Sequence, residues 1–274
     1  MRPGRTHRMR RSWLLALLTV ALSCPIARAQ SPGPIVAVGG GGTTPAIVAT
    51  TLELAGGKTA VVAVLPQASE SPTAGEGSVK MWTDAGAKSV RVVSFADRDA
   101  ARAILREATL IWMPGGSQSR FMEKIAGTGL TEVIHERHRA GAVVGGTSAG
   151  AAVLSAEMIT GDADLKSLKS GTTVLNKGLG LLPGVLVDQH FLQRQRGNRL
   201  ISGVLDHPTL VGVGIDEATA VIFRGTTMSV LGKSGVVVVD PRPATRASAV
   251  AGEVVAATGM RLSILREGMT YSLK

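Results

Sequence analysis

Ala142-Val143-Val144-Gly145-Gly146-Thr147-Ser148-Ala149-Gly150-Ala151-Ala152-Val153-Leu154 decides the fold of this 274-residue chain. Residues 142–144 are apolar and rich in valine, the composition of a short buried strand, and residues 151–154 read as the start of a helix. Between them stands Gly146-x-Ser148-x-Gly150. A serine on so abrupt a strand-to-helix turn has a strained backbone, so its neighbours must be small. Its hydroxyl then stands exposed above a sheet, with the amino end of the helix aimed at it. G-x-S-x-G alone is a weak pattern; set between a buried strand and a helix, it predicts a nucleophile elbow. The plainer reading is a glycine-rich helix cap in which Ser148 only forms a hydrogen bond.

Outward from the elbow the same alternation recurs. Residues 35–38, 60–65, 90–95 and 110–113 are apolar runs with the character of buried strands, and residues 45–55, 77–85, 98–108 and 120–140 have helical spacing. Strands alternating with helices predict a three-layer α/β/α fold around a mainly parallel sheet. Later strands are expected at 185–188, 210–215, 219–224, 228–231 and 236–240. Gly225-Thr226 and Gly232-Lys233 read as hairpin turns that make the far edge of this sheet antiparallel. No Pro- or Ser-rich linker and no repeat divides residues 30–274, so one domain is expected there. With 45% hydrophobic residues and only 3% aromatic, its core must come from Val, Leu, Ile and Ala.

In open parallel sheets the reactive groups gather at the carboxyl ends of the strands. Polar, glycine-rich sequences fall there: Gly39-Gly40-Gly41-Gly42-Thr43-Thr44, Pro66-Gln67-Ala68-Ser69, Pro114-Gly115-Gly116-Ser117-Gln118, residues 145–150, Asp188-Gln189-His190 and Asp216-Glu217. A serine hydroxyl is hardly ionised at neutral pH and needs a base. His135 and His138 lie in a charged segment read as a solvated helix face, and their spacing misses the H-E-x-x-H zinc pattern by one residue. His207 precedes Pro208 in a turn. His190 follows a strand and is the expected base.

The base needs an acceptor to fix its tautomer. Glu217 has the right placement; Asp216, Asp188, Asp164 and Asp162 compete, and Asp216 is expected to diverge from its neighbour. The oxyanion of an acyl-transfer intermediate needs preorganised donors. The Ala149 amide is one, and Gly116, with no side chain in the way, supplies the other. Arg194, Arg196 and Arg199 follow His190 closely, with Gln189 and Gln193 among them. Guanidinium forks bind carboxylates bidentately, which points to an acidic substrate. A solvated basic loop is the alternative.

The start of the chain is read separately. Arg2, Arg5, Arg8, Arg10 and Arg11 precede an apolar run over residues 13–22, and Ala27-Arg28-Ala29 has cleavage-site spacing. Residues 1–29 are therefore expected to be a signal peptide, too short in its apolar run to span a bilayer. Export to the periplasm or the medium follows, with no membrane anchor after cleavage. Six of the 30 basic residues and none of the 20 acidic ones lie in this segment, so its removal takes the formal charge from +10 to +4. No basic patch with interleaved aromatics remains to bind nucleic acid. Cys24 is the single cysteine and leaves with the peptide, which excludes disulfides, thiolate catalysis and cysteine metal sites.

Pro114-Gly115-Gly116-Ser117-Gln118, Gly145-Gly146-Thr147-Ser148-Ala149-Gly150-Ala151, Gly178-Leu179-Gly180-Leu181-Leu182-Pro183-Gly184-Val185, Asp188-Gln189-His190-Phe191, Gln193-Arg194-x-Arg196-x-x-Arg199 and Gly214-Ile215-Asp216-Glu217-x-Thr219-Ala220 together resemble the cyanophycinases. These belong with the aspartyl dipeptidases among serine peptidases on a class I glutamine-amidotransferase-like fold. The resemblance runs in order over residues 35–233 and implies a Ser148-His190-Glu217 triad. It also implies that Gln118, Gln189, Arg194, Arg196 and Arg199 hold a β-linked aspartyl unit. The implied substrate is cyanophycin, poly-aspartate with arginine on each β-carboxyl, cut to β-aspartyl-arginine without a cofactor or a metal by a homodimer. Two rivals are a dipeptidase of the same fold acting on other aspartyl or small peptides, and an inactive binding homologue. An esterase suits the arginines less. The chain departs from the family's pattern after the first strand, where a Gly-Gly followed by an acidic pair is usual and this chain has Gly39 to Gly42 and then Thr43-Thr44, at Ser117, where Asn or Asp is usual, and between Gly161 and Thr173.

Overall fold

The computed structural model describes residues 31–163 and 165–274, with residues 162 and 163 by their backbone alone. The expected signal peptide of residues 1–29 with Cys24, the acid candidate Asp164 and the side chain of Asp162 lie outside the described residues. In chain order the first half carries β1 (Ile35–Val38), α1 (Pro45–Leu54), β2 (Val61–Val64), α2 (Glu76–Asp84), β3 (Ser89–Val92), α3 (Arg98–Glu107), β4 (Leu110–Met113), α4 (Gln118–Ile125), α5 (Leu130–Arg139), β5 (Val143–Thr147) and α6 (Ala149–Ala152). The second half carries β6 (Glu157–Ala163), β7 (Thr173–Lys177), β8 (Val185–Gln189), α7 (Gly197–Asp206), β9 (Val211–Ile215), β10 (Thr219–Arg224), β11 (Thr227–Gly232), β12 (Val236–Asp240), β13 (Thr245–Arg246), β14 (Ala257–Thr258), β15 (Arg261–Leu265) and β16 (Thr270–Ser272). Among the described residues no helix is long and apolar enough to cross a membrane.

The main sheet has the order β16-β11-β10-β1-β5-β4-β2-β3. Strands β1 to β5 pair in parallel, and β10, β11 and β16 extend the β1 edge antiparallel. Alternate residues of a strand face opposite sides. Val36, Val38, Val62, Val64, Leu110 and Trp112 meet Ile47 and Leu52 of α1 and Trp82 of α2 on one face. Ala37, Ala63, Ile111, Met113 and Val144 meet Leu105 of α3, Phe121 of α4 and Ile134 of α5 on the other. Both faces are covered, so these strands are apolar throughout. Trp82 stands edge-on to Trp112, with ring centroids 5.1 Å apart, a pairing that adds about 0.5–1.5 kcal/mol to plain burial.

Two expectations are corrected, and one helix is added. The helical segment 120–140 is two helices, because Gly127 and Gly129 hold φ of 67° and 73° between α4 and α5 and turn the chain. The segment after His190 contains helix α7, which its glycine and arginines had concealed. The later strands do not all extend one sheet: β8, β9, β12 and β15 form a second sheet, order β15-β12-β9-β8, in which β8 and β9 are parallel. Gly232-Lys233, expected as a hairpin turn, carries the chain from β11 in the main sheet to β12 in the second.

The second sheet packs Val185, Val187, Val211, Val213 and Ile215 into the same core as Ile111 and Met113. Its outer face, with Leu186 and Val239, is covered by Leu200 and Val204 of α7. Gly212 and Gly214 make room there, since a methyl at either would press on Leu200 or Phe191. A strand buried on both faces has the same composition in one sheet or two, so its sequence cannot say which.

Candidate active site

Strand β5 runs through the middle of the main sheet, between β1 and β4, and ends at the elbow. Ser148 has φ 54° and ψ −117°, a sparsely populated conformation for a residue with a side chain. Its neighbours are small because backbone crowds them. A Cβ on Gly146 would lie 2.5 Å from the Gly150 carbonyl oxygen and 2.6 Å from that of Met113, and one on Gly150 would overlap the Met113 carbonyl. The helix behind the elbow is only four residues long. Its macrodipole is accordingly small; the amides of Ala151 and Ala152 donate to the Ser148 carbonyl, and what the helix offers the site is the Ala149 amide at its first position.

The Ser148 Oγ lies 2.9 Å from Nε2 of His190. Nδ1 of His190 lies 2.5 Å from Oε1 of Glu217. A carboxylate can only accept, so Nδ1–H donates to Glu217, and Nε2 is left to accept the serine proton. His190 is buried and Glu217 half-buried. His190 directly follows β8 and has φ 48°, and Ala218, directly after Glu217, has φ 53°. Three of the four non-glycine residues with positive φ among those described thus belong to or adjoin this arrangement. Backbone strain concentrates where side chains are aimed.

The loop after β1 forms the wall behind the imidazole. The Gly39 carbonyl accepts from the His190 amide at 2.7 Å, and the Gly40 carbonyl accepts from the Ala218 amide at 2.9 Å. A Cβ on Gly40 would overlap the His190 ring, and one on Gly41 would come 2.5 Å from Cβ and Oε2 of Glu217. Both glycines also have positive φ. The departure at Gly39 to Thr44 therefore lies directly against the base and its acid. Ser117 caps α4, its Oγ accepting from the Arg120 amide at 3.3 Å, a task that Asn or Asp performs equally well.

Asp216 diverges from Glu217. Its Oδ1 accepts from the amides of Leu192 and Gln193, both at 3.0 Å, and its Oδ2 from the Ser234 hydroxyl at 2.6 Å. Burial pushes this carboxyl up, but the hydrogen bonds from Ser234 and from the amides of Gln193, Glu217 and Leu192 outweigh it and hold the carboxyl below the usual range. Asp216 thereby ties the segment after His190 to the one bearing Glu217. No pattern in the sequence singles out Ser234 as its partner.

The three arginines occupy unlike places. Arg199 is buried, and its Nε donates to Oδ2 of Asp188 at 2.8 Å while NH2 pairs with Oδ1. Asp188 is thus the counterion of Arg199 and stands clear of the imidazole's acceptor role. Arg196 is buried too; its NH1 donates to the Gln189 carbonyl at 2.6 Å and stands 3.6 Å from Asp188. Burial first, then the charge of Arg199, lowers its pKa to about 10, with Asp188 acting the other way. The Nε of Arg196 is buried with no partner among the described residues. Arg194 is exposed, with its amide donating to the His190 carbonyl at 2.9 Å.

Gln189 places Oε1 3.5 Å from the Ser148 Oγ. Gln118 is buried and donates to the Ile159 carbonyl at 2.9 Å. Gly115 adjoins the elbow, where a Cβ would stand 3.3 Å from that of Ser148, and Gly116 beside it is exposed. His135 and His138 are not the solvated histidines expected. Nε2 of His135 bonds the Leu179 carbonyl at 2.6 Å and that of His138 bonds the Gly33 carbonyl at 2.8 Å, so both brace α5.

Residues 35–231 match the family model of peptidase family S51. The chain is 37% identical over 231 residues to the cyanophycinase of Geminocystis herdmanii, covering 80% of this chain and 85% of that one. It is 38% identical over 239 residues to the cyanophycinase of Synechococcus elongatus, covering 83% and 74% respectively. Among solved structures, a peptidase from an acI-B1 Actinobacterium superimposes with a TM-score of 0.67 at 22% identity, over 89% of this chain and 98% of the other. That likeness speaks for the fold.

Proposed function

The chain belongs to peptidase family S51, and from that premise we propose that this serine-type peptidase cleaves cyanophycin to β-aspartyl-arginine through an acyl-enzyme formed on Ser148. The observation that carries the proposal is the continuous hydrogen-bonded run from the Ser148 Oγ through His190 to Glu217, at 2.9 and 2.5 Å. Its likeness to relatives named cyanophycinase supports the substrate.

Ser148 attacks the scissile carbonyl while Nε2 of His190 takes its proton; Glu217 holds Nδ1–H and stabilises the imidazolium. Negative charge develops on the carbonyl oxygen, and the amides of Ala149 and Gly116 receive it. His190 then protonates the leaving amine, and water, deprotonated by the same ring, cleaves the ester. Gln189, Arg194 and Arg196 meet the aspartyl unit, the guanidinium forks suiting its carboxylate. Gln118 lines the same side. Arg199, committed to Asp188, serves by holding the strand end that bears Gln189 and His190. The protein works outside the cytoplasm after removal of residues 1–29, as a homodimer.

The deciding experiment incubates purified mature protein with insoluble cyanophycin and identifies the soluble product by mass. β-Aspartyl-arginine is expected, and none from Ser148→Ala, which should remain folded. Turnover by Ser148→Ala would remove the nucleophile assignment. Hydrolysis of Asp-X dipeptides with none of the polymer would move the substrate to small aspartyl peptides.

A further inference from the structure

Of the two amides proposed to receive the oxyanion, that of Ala149 is fixed by the elbow itself. Gly116 lies on a different strand end, with a φ of 141°. It rests against the loop after β2 at Ala68 and Ser69. The Cα of Gly116 packs so closely on the Ala68 carbonyl and the Ser69 amide that any Cβ would overlap them. The Ala68 carbonyl also accepts from the Ser117 amide at 2.8 Å.

That carbonyl has a second donor. NH1 of Arg120 reaches it at 3.1 Å, and NH2 of the same guanidinium meets Oε1 of Glu70 at 3.0 Å. The Arg120 amide meanwhile donates to Oγ of Ser117, the residue after Gly116. Arg120 therefore holds both partners of one contact: by its backbone the turn that bears Gly116, and by its fork the loop on which Gly116 rests.

We infer that Arg120 is a positioning residue for the oxyanion site, its guanidinium fastening residues 66–70 under the Gly115-Gly116 turn and so setting the Gly116 amide relative to Ser148. The inference rests on the acyl-enzyme reading above. Arg120 need touch no reacting atom. An arginine suits the task because its planar fork can hold a carbonyl and a carboxylate at once, whereas a lysine ammonium presents a single point charge. The pair with Glu70 is partly exposed, and such pairs contribute little to stability. Its consequence should be read in catalysis. An amide that bonds only the tetrahedral oxyanion acts on the transition state and leaves ground-state binding unchanged.

The test compares wild type, Arg120→Ala, Arg120→Lys and Ser148→Ala on a soluble oligomer of β-linked Asp-Arg units, with thermal unfolding of each. For Arg120→Ala, kcat is expected to fall on the order of 10- to 100-fold, the scale for a slightly misplaced catalytic group. KM should stay within about twofold and the unfolding midpoint should not move. Arg120→Lys should recover part of the loss. An unchanged kcat in Arg120→Ala while Ser148→Ala is inactive overturns this inference alone, as does a loss that appears in KM or follows unfolding. Activity retained by Ser148→Ala overturns the acyl-enzyme reading and this inference with it.

Discussion

Ser148 stands at the end of β5 in the main sheet, whereas His190 and Glu217 stand at the ends of β8 and β9 in the second sheet. The nucleophile is held locally. Two glycines within two residues and the turn into α6 account for most of its geometry, with the Met113 carbonyl beside them and the Val38 carbonyl accepting from its amide at 2.9 Å on the two adjacent strands. The base and its acid are held from afar: by the glycine wall after β1, by Ser234 through Asp216, and by the Asp188–Arg199 pair. A side chain held locally tolerates distant change; one held by several remote segments does not. Damage at a distance from the site should accordingly reach His190 and Glu217 before it reaches Ser148.

The largest effect is expected where the two halves meet. Glu217→Gln keeps the shape of the acid but removes its charge and its hold on the tautomer, so kcat should fall on the order of 10³- to 10⁴-fold with the fold intact. A loss below about tenfold would mean that Glu217 does not support the base, and the comparison would lose its second half. Next is Asp188→Ala, which leaves the buried Arg199 without a counterion. Breaking a buried pair in this way costs about 3–5 kcal/mol, to be read from a denaturant midpoint. Retention of wild-type stability would show that the second sheet does not depend on this pair.

A smaller effect, with a pH signature, belongs to Asp216→Asn. Hydrogen bonds to a charged group contribute about 1.5–3 kcal/mol each, so the variant should be less stable than wild type at pH 7 by an amount of that order. The folded carboxyl is held below its usual range. Its contribution is therefore complete above the unfolded value of about 4 and is lost as pH falls through the folded value. Stability of the two proteins should converge in acid; a gap that stays constant down to pH 2 argues against the assignment. The smallest change has the opposite sign. Ser148→Gly removes a side chain from a strained backbone worth about 1–3 kcal/mol, less the entropy cost of a glycine. It should gain on the order of 1 kcal/mol while losing all activity, and destabilisation would show that the elbow is not strained.

The sequence by itself carried the elbow and the strand-and-helix alternation of the first half, both written mainly in neighbours along the chain. Gly146-x-Ser148-x-Gly150 between a valine-rich strand and a helix marked the elbow, because the sharp turn itself is written in consecutive residues, although the Met113 carbonyl of the adjacent strand also crowds both glycines. The strand-and-helix alternation through β5 was legible because strands buried on both faces are apolar throughout. The same signal explains what was not legible. β8 and β9 read as members of the main sheet, since burial on both faces does not say against which sheet; only the packing of Val187 and Val213 into the core that holds Met113, with α7 on the outside, decided it. The glycines after β1 could be counted but not assigned, because the crowding that demands them comes from His190 and Glu217, more than a hundred residues away in the chain. The three arginines looked equivalent in the sequence. Tertiary structure separated them, because a buried guanidinium must be neutralised and Asp188 can take two oxygens' worth of hydrogen bonds from only one of them.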